Sequence, residues 1–325
     1  MKIIYVASPS LKNAHRIDQG LISAFQEEGI EVFSLRLLPH CQSELFNIIE
    51  EKDPDFIFCL FMKAEWDGFF SFFDNVSIPT IAWFYEDPHT IDYSKRHIHY
   101  FHFVFSSEKN AVPFYRELGH QSTFYLPHAF DPSLYFYEQH DKSIYQSDLC
   151  LVGDADEKRV SYIRYLYEHS DWKITVVGRG WTEALKDVKP SPRMQRVNYW
   201  VPARVARLFY SNSRIVLNLP YSNKRKTENE ANIPCDSPSP SLFEIAGCKA
   251  FQIAERKKGI NEQFHSAKTI VQVNSKEECL AIASHYMNEH DKRKLMAEAA
   301  YNEVICRHTY RQRMKNLLIA FAKTQ

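Results

Sequence analysis

Ser239-Pro240-Ser241-Leu242-Phe243-Glu244-Ile245-Ala246-Gly247-Cys248-Lys249-Ala250-Phe251-Gln252-Ile253 reads as a turn of small residues, a short helix over 241–248 opening on Phe-Glu, and a buried strand over 250–253. A carboxylate in the first turn of a helix stands beside backbone N–H groups that lack an intrahelical acceptor. Such a corner can hold a phosphate on the amides and a ribose on the carboxylate together. The plain alternative for Glu244 is a solvent-facing carboxylate that stabilises the helix through its dipole alone.

The pattern around this stretch repeats the same step. Residues 2–7 are an apolar run ending at Ser8-Pro9-Ser10, a strand entering a loop. Ile17, Leu21, Ile22 and Phe25 recur at helical spacing over 14–28, and Gly29 caps that helix. Strands are predicted over 31–37, 55–61, 79–84 and 101–105, with helices over 42–52 and 107–118. After a Pro- and Tyr-bearing stretch over 126–146, strands follow over 148–152, 173–177, 214–219 and 269–273. Helices are predicted over 156–169 and 202–211, a polar loop over 221–238, and two or three helices from there to 323. Alternation of this kind favours parallel sheets covered by helices, an α/β chain. The expected division is 1–130, a connector 131–146, a second domain 147–305 and a last segment 306–325. Two doubly wound domains facing a cleft would hold ligands at the C-terminal ends of their strands.

Composition narrows the classes. A chain of 325 residues is long enough for two domains, and its 40 basic and 40 acidic residues cancel. No general attraction to nucleic acid or an anionic membrane follows. The seven cysteines, at 41, 59, 150, 235, 248, 279 and 306, are dispersed and form no Cys-x-x-Cys or Cys/His cluster. A zinc or disulfide framework is therefore not expected, and a reducing cytosol fits. No run approaches the roughly 18 apolar residues of a membrane helix, and the N-terminal run is too short for a signal peptide. Nine glycines and no Gly-x4-Gly-Lys-Ser/Thr argue against a glycine-rich phosphate loop. The aromatics Phe56, Phe58, Phe61, Trp66, Phe69, Phe70, Phe72 and Phe73 fill either a core or the face of a homodimer, the core being preferred.

Several blocks, in order and spacing, resemble the CgeB-type spore maturation family of GT-B glycosyltransferases. They are Ile81-Ala82-Trp83-Phe84-Tyr85-Glu86-Asp87-Pro88; Phe105-Ser106-Ser107 with Leu126-Pro127-His128-Ala129-Phe130-Asp131-Pro132; and Asp148-Leu149-Cys150-Leu151-Val152-Gly153 with Arg159 following. Val176-Val177-Gly178-Arg179-Gly180-Trp181, Ser213-Arg214-Ile215-Val216-Leu217-Asn218 and His308-Thr309-Tyr310-Arg311-Gln312-Arg313 continue the series. The opening stretch resembles the family's donor-binding segment, usually Phe-Glu-x-x-Ala-x-Gly. Here Lys249 stands where the usual glycine falls, with Gly247 two positions earlier. Related retaining enzymes carry Glu-x7-Glu across this turn, and here the pair is Asp236 and Glu244. The resemblance is strongest over residues 80–325.

The resemblance implies a cytoplasmic, metal-independent GT-B glycosyltransferase without a cofactor, using a nucleotide sugar of the UDP class. It also implies an acceptor protein or glycan of the spore's outer surface, made in the mother cell, and a final helix crossing back to the first domain. Glu244 would accept two ribose hydroxyls, with Ser241, Leu242 and Phe243 in the same helix start. Arg159, Lys158 and Arg179, near Gly153 and Gly178, would be fixed cations for the leaving diphosphate, or else solvated charges. Asn218 would bond a phosphate or cap its loop. Asp87, His89 and His128 are the candidate bases near the acceptor hydroxyl, with an Asp-Pro turn as the plain reading of Asp87. Ser8, Ser10 and Asn13 are acceptor-side candidates. Asp154-Ala155-Asp156 looks like a metal-binding triplet but is read as the carboxylates of a helix start. Two further readings stand beside transfer: a non-catalytic assembly protein of the spore surface with the same fold, and nucleotide-sugar epimerisation.

Overall fold

The computed structural model describes residues 1–7, 14–36, 42–63, 68–221, 228–264 and 269–323. The chain forms two units. One gathers the described residues of Met1–His128, Asn223–Ser237 and Tyr310–Gln325, the other those of Ala129–Ser222 and Pro238–Thr309.

The first unit runs β1 (Lys2–Ala7), α1 (Ala14–Glu27), β2 (Glu31–Arg36), α2 (Gln42–Lys52), β3 (Phe56–Phe61), β4 (Thr80–Phe84), α3 (Ile91–His97), β5 (Phe103–Ser106), α4 (Ala111–Glu117) and β6 (Thr123–Tyr125). Its six strands lie in the order β2-β1-β3-β4-β5-β6, all parallel. Every residue of β3 and β4 is buried. A parallel strand covered on both faces needs that continuous apolar run rather than alternation. Phe61 packs on Phe70, Phe84 and Phe101 with ring centroids 4.6–5.6 Å apart. Phe56, Phe58, Phe61, Phe70 and Phe73 are thus core residues, and Trp66 lies outside the described residues.

The second unit runs β7 (Ser147–Val152), α5 (Glu157–Glu168), β8 (Ile174–Val177), α6 (Trp181–Ala184), β9 (Met194–Val197), α7 (Ala203–Ser211), β10 (Ser213–Asn218), α8 (Pro240–Gly247), β11 (Gln252–Glu255), α9 (Lys258–Gln263), β12 (Val271–Val273), α10 (Lys276–Met287) and α11 (His290–Arg307). Its strand order is β12-β11-β10-β7-β8-β9, again parallel. The order reverses between β7 and β10. That is the switch point at which open α/β sheets leave a crevice outside their carboxyl ends. The last helix, α12 (Tyr310–Ala322), belongs to the first unit, where it packs along α1 and sets Phe321 5.0 Å from Phe56.

Some boundaries differ from expectation. Residues 131–146 are part of the second unit, because Tyr135 is buried in its core and Glu138 pairs with Arg207 at 2.6 Å. The described residues 228–237, expected within 147–305, belong to the first unit. There Glu108, fully buried, accepts the Ser237 N–H at 2.9 Å and Asp92 accepts that of Glu230 at 2.8 Å. The helix expected over 107–118 starts at Ala111, since the Glu108 N–H instead donates to the Ser106 hydroxyl and the Ser107 hydroxyl to the Tyr85 carbonyl. β6, β9, α3, α6 and α9 have three to seven residues each, too few to display a period.

Candidate functional site

At the switch point the ends of β7 and β10 lie side by side. Gly153, just past β7, has φ +151°, and a Cβ there would lie 2.8 Å from Nη1 of Arg159. Gly178, just past β8, has φ +141°, and its Cβ would lie 2.5 Å from the Gly153 carbonyl. Both positions need glycine, for backbone conformation and for space. The two turns are joined by the Gly153 N–H to the Val177 carbonyl at 2.7 Å and by the Trp181 indole N–H to the Gly153 carbonyl at 2.8 Å.

The cations around this crossing are already engaged. Arg159 is 7% exposed and donates through Nε to the Leu219 carbonyl and through Nη1 to the Asp154 carbonyl, both at 2.7 Å. The Tyr221 ring covers its guanidinium at 4.2 Å. Arg159 therefore braces two loop ends, where the resemblance implied a phosphate contact. Lys158 pairs with Glu255 at 2.8 Å. Arg179 is different. Its side chain is 69% exposed, and Asp154 grips it through the backbone N–H at 2.7 Å and Nε at 2.8 Å. Burial pushes the Asp154 carboxyl up, but these Arg179 bonds outweigh it and hold the group below its usual value. Asp156 caps α5 by accepting the Arg159 N–H at 2.9 Å. Both carboxylates of the Asp-Ala-Asp triplet thus have local partners. Among the described residues no three His, Cys, Asp or Glu side chains form a metal cluster.

Helix α8 begins earlier than its Phe-Glu. Ser239 is the extended N-cap and Pro240 the first helical residue, a position where its fixed φ and missing N–H are tolerated. Glu244 consequently sits in the second turn, not the first. It is 9% exposed, which removes the reading of a solvent-facing carboxylate. The Ser239 side chain does not cap the helix. Its hydroxyl lies 2.9 Å from that of Ser241, and both donate to Oδ1 of Asn218 at 3.2 Å. Asn218 in turn donates to Gln252 at 3.2 Å, and Gln252 donates to the Leu242 carbonyl at 2.9 Å. This lattice fixes the first turn of α8 against the ends of β10 and β11. Leu242 and Phe243 are 1% and 0% exposed, so their side chains are core and only their backbone can serve a ligand.

The end of α8 accounts for the displaced glycine. Gly247 lies under Phe130, where a Cβ would come within 2.4 Å of the ring. Lys249 has φ +50°. Its N–H reaches the Ala246 carbonyl at 3.0 Å and that of Ala250 reaches Ile245 at 3.3 Å, the paired bonds of a Schellman C-cap. Lys249 therefore occupies a left-handed position that glycine favours, with its ammonium over the Tyr301 ring at 4.6 Å.

In the first unit the candidate bases differ in access. Asp87 is 5% exposed, and its carboxylate accepts from Ser106 at 2.6 Å and Tyr115 at 3.0 Å. Burial pushes it up to about 7 against the pull of these hydroxyls. That environment holds the side chain in the interior, contrary to the expectation of a base open to an acceptor. His128 is buried, with its ring against Tyr85 at 4.4 Å and its carbonyl held by Arg313. His89 is half-buried, with Nε2 3.8 Å from the Cys235 sulfur. Asp236 belongs to this unit and accepts from Asn110 at 3.3 Å. Ser8, Ser10 and Asn13 lie outside the described residues. Sequence reasoning missed Glu108, Tyr221 and Gln252. Isolated residues of ordinary type carry no pattern, and only their partners give them a role.

Residues 159–319 match the family model described as glycosyl transferase-like. The chain is 26% identical over 313 residues, 95% of each chain, to spore protein CgeB of Bacillus subtilis (strain 168). Among solved structures, sucrose-phosphate synthase from Thermosynechococcus elongatus superposes with a TM-score of 0.69 at 8% identity, covering all of both chains. Anabaena HepE, solved in complex with UDP-glucose, gives a TM-score of 0.69 at 11% identity over 99% of this chain and 100% of that one. At such identities the structures establish the fold. Residues 159–319 match the glycosyl transferase-like family model, and the chain as a whole has the GT-B fold and is similar to spore protein CgeB.

Proposed function

We propose that this chain is a glycosyltransferase whose second unit takes a nucleotide sugar of the UDP class. The observation that carries this reading is the start of α8. A buried glutamate stands one turn behind a helix start whose N-cap side chain, Ser239, makes no cap, beside the carboxyl end of β10. A carboxylate accepts two ribose hydroxyls in bidentate fashion, and backbone N–H groups at a helix start donate to a phosphate. Arg179, exposed and oriented by Asp154, supplies the fixed cation that offsets charge growing on the leaving diphosphate. Arg159, Lys158, Gly153, Gly178 and Asn218 shape the crevice rather than touch the donor. In this reading no metal or cofactor takes part. The likeness to a structure holding UDP-glucose supports the donor class.

The first unit presents the acceptor. His89, half-buried where Asp87 and His128 are buried, is the base that can meet an incoming hydroxyl. Similarity to a spore protein supports an acceptor protein or glycan of the spore outer surface, glycosylated in the mother-cell cytoplasm. Among the described residues no helix is long and apolar enough to cross a membrane.

The test is a thermal-shift titration of the full chain with UDP, GDP, ADP and UDP-sugars, with Glu244→Ala and Arg179→Ala alongside, each repeated with EDTA. A ligand present at 100 times its Kd stabilises by about 2.7 kcal/mol. The expected result is a UDP-selective rise in Tm, indifferent to EDTA and reduced in both variants. A well-folded protein that responds to no nucleotide would favour an assembly protein that keeps the fold. UDP-sugar converted without any acceptor, with the sugar still on the nucleotide, would favour epimerisation.

A further inference from the structure

The opposite end of the second unit's sheet carries a second depression. The N-terminal ends of β10 and β11 and the first turns of α11 line an open cavity of about 590 Å³, within the size range of small-molecule sites. Arg214 is the second residue of β10, and Asn218 is its last. A six-residue strand at about 3.3 Å per residue puts roughly 16 Å between the two ends. The cavity is therefore separate from the switch point.

Its walls are basic. Arg214, Lys249, His290, Arg293 and Lys294 line it, with Glu298 the acidic side chain among the described lining residues. Arg214 has Asp148 at 3.2 Å, and Lys249 has Glu298 at 3.7 Å. Arg293, 8% exposed, directs Nη1 to the carbonyls of Tyr286 and Met287 at the end of α10. Burial, and then the nearby Arg214, lower the Arg293 guanidinium from its ordinary value. Both guanidinium groups line the same depression. Lys294 is exposed and makes no ion pair with a described carboxylate. The 18-residue helix α11 begins at His290, a residue of the same lining, and the Glu289 side chain makes no cap there. Like charges gathered in a concave wall raise the local concentration of anions.

We propose that this cavity is a binding site for a small phosphorylated anion, a diphosphate or a phosphate monoester, distinct from the site at the start of α8. Arg214 and Lys294 grip the phosphoryl oxygens, and the buried Arg293 adds positive field from below. Tyr137 and Phe251, also in the lining, flank an organic stem where the ligand has one. Free diphosphate and a phosphate ester share this chemistry, so the probe decides between them.

The experiment is calorimetric titration of the full chain with inorganic pyrophosphate and, separately, with glycerol 3-phosphate. The variants are Lys294→Gln and Arg214→Gln, each checked for an unchanged unfolding midpoint. Lys294→Gln removes an exposed side chain and provides a folded reference should Arg214→Gln fail to fold. Saturable binding by one probe, weakened about tenfold by either variant as expected for a lost charge-assisted bond and falling with added salt, supports the site. The tighter probe identifies the source of the phosphoryl group. Absence of binding at millimolar probe, binding indifferent to both variants, or probe binding abolished by Arg179→Ala in the proposed donor site would each overturn the proposal.

Discussion

Arg159 donates through Nε to the carbonyl oxygen of Leu219 at 2.7 Å, across 60 residues of sequence. The bond ties the first turn of α5 to the loop after β10, and a second bond to the Asp154 carbonyl closes the brace at 2.7 Å. The guanidinium so placed organises the crevice in which the donor is proposed to lie. Arg159→Met leaves two carbonyls without their charged donor and is expected to lower stability by about 2–4 kcal/mol, read from urea unfolding. Arg159→Lys should behave nearly as Met does, because an ammonium does not reproduce the fork. Unchanged stability combined with lost UDP binding would instead make Arg159 a phosphate ligand.

Gly178 and Gly29 offer a matched pair. At Gly178, φ is +141° and a Cβ would meet the Gly153 carbonyl at 2.5 Å; at Gly29, φ is +76° and nothing lies within 4 Å. Gly29→Ala should therefore show the left-handed backbone cost alone, about 1 kcal/mol. Gly178→Ala adds a collision with backbone and should exceed about 3 kcal/mol or prevent folding. Thermal denaturation of the two variants compares them directly. Equal losses would mean that the two strand ends do not pack as described.

Lys249 tests the C-cap of α8. The left-handed φ of +50° penalises any side chain, while the contacts to Tyr301 and Glu298 offset part of that penalty. Lys249→Ala removes the contacts and keeps the strain; Lys249→Gly removes both. The glycine variant should be more stable than the alanine variant by about 1 kcal/mol. Equal stabilities in chemical denaturation would contradict the Schellman assignment.

Asp87 gives the fold a pH dependence. Burial raises its carboxyl to about 7, against about 3.9 in an unfolded chain. Between those values the native state holds a proton that the unfolded state has released. The stabilising contribution is full below pH 4, falls as pH rises through 7, and is absent above it. The slope is at most about 1.4 kcal/mol per pH unit. Asp87→Asn, neutral throughout, should lack this slope, so the stability difference between variant and wild type should change between pH 4 and 7. Parallel curves across that range would show that Asp87 is already ionised in the native protein.

Both sheets were legible because parallel strands are short apolar runs and the helices between them are longer and periodic. β3 and β4, buried at every residue, are the clearest case. Helix α8 was legible in kind but not in its start. Pro240 reads as a turn residue in sequence, yet it is equally suited to the first helical position. That shift places Glu244 in the second turn, where it is buried. For Asp87, the sequence shows an Asp-Pro pair after a strand and cannot show that Ser106 and Tyr115 close over the carboxylate.

The sequence by itself determined the α/β class, the two successive series of strands and helices, and the carboxylate-bearing helix α8. These follow from periodicity and residue type, which are local. The tertiary structure decided that Arg159 braces two loop ends, and that residues 228–237 belong to the first unit. It also gathered five basic side chains from β10, the end of α8 and α11 into one cavity. Each of these rests on contacts between residues far apart in the chain. Burial and partnership, which set the role of a charge, exist only once those distant segments have met.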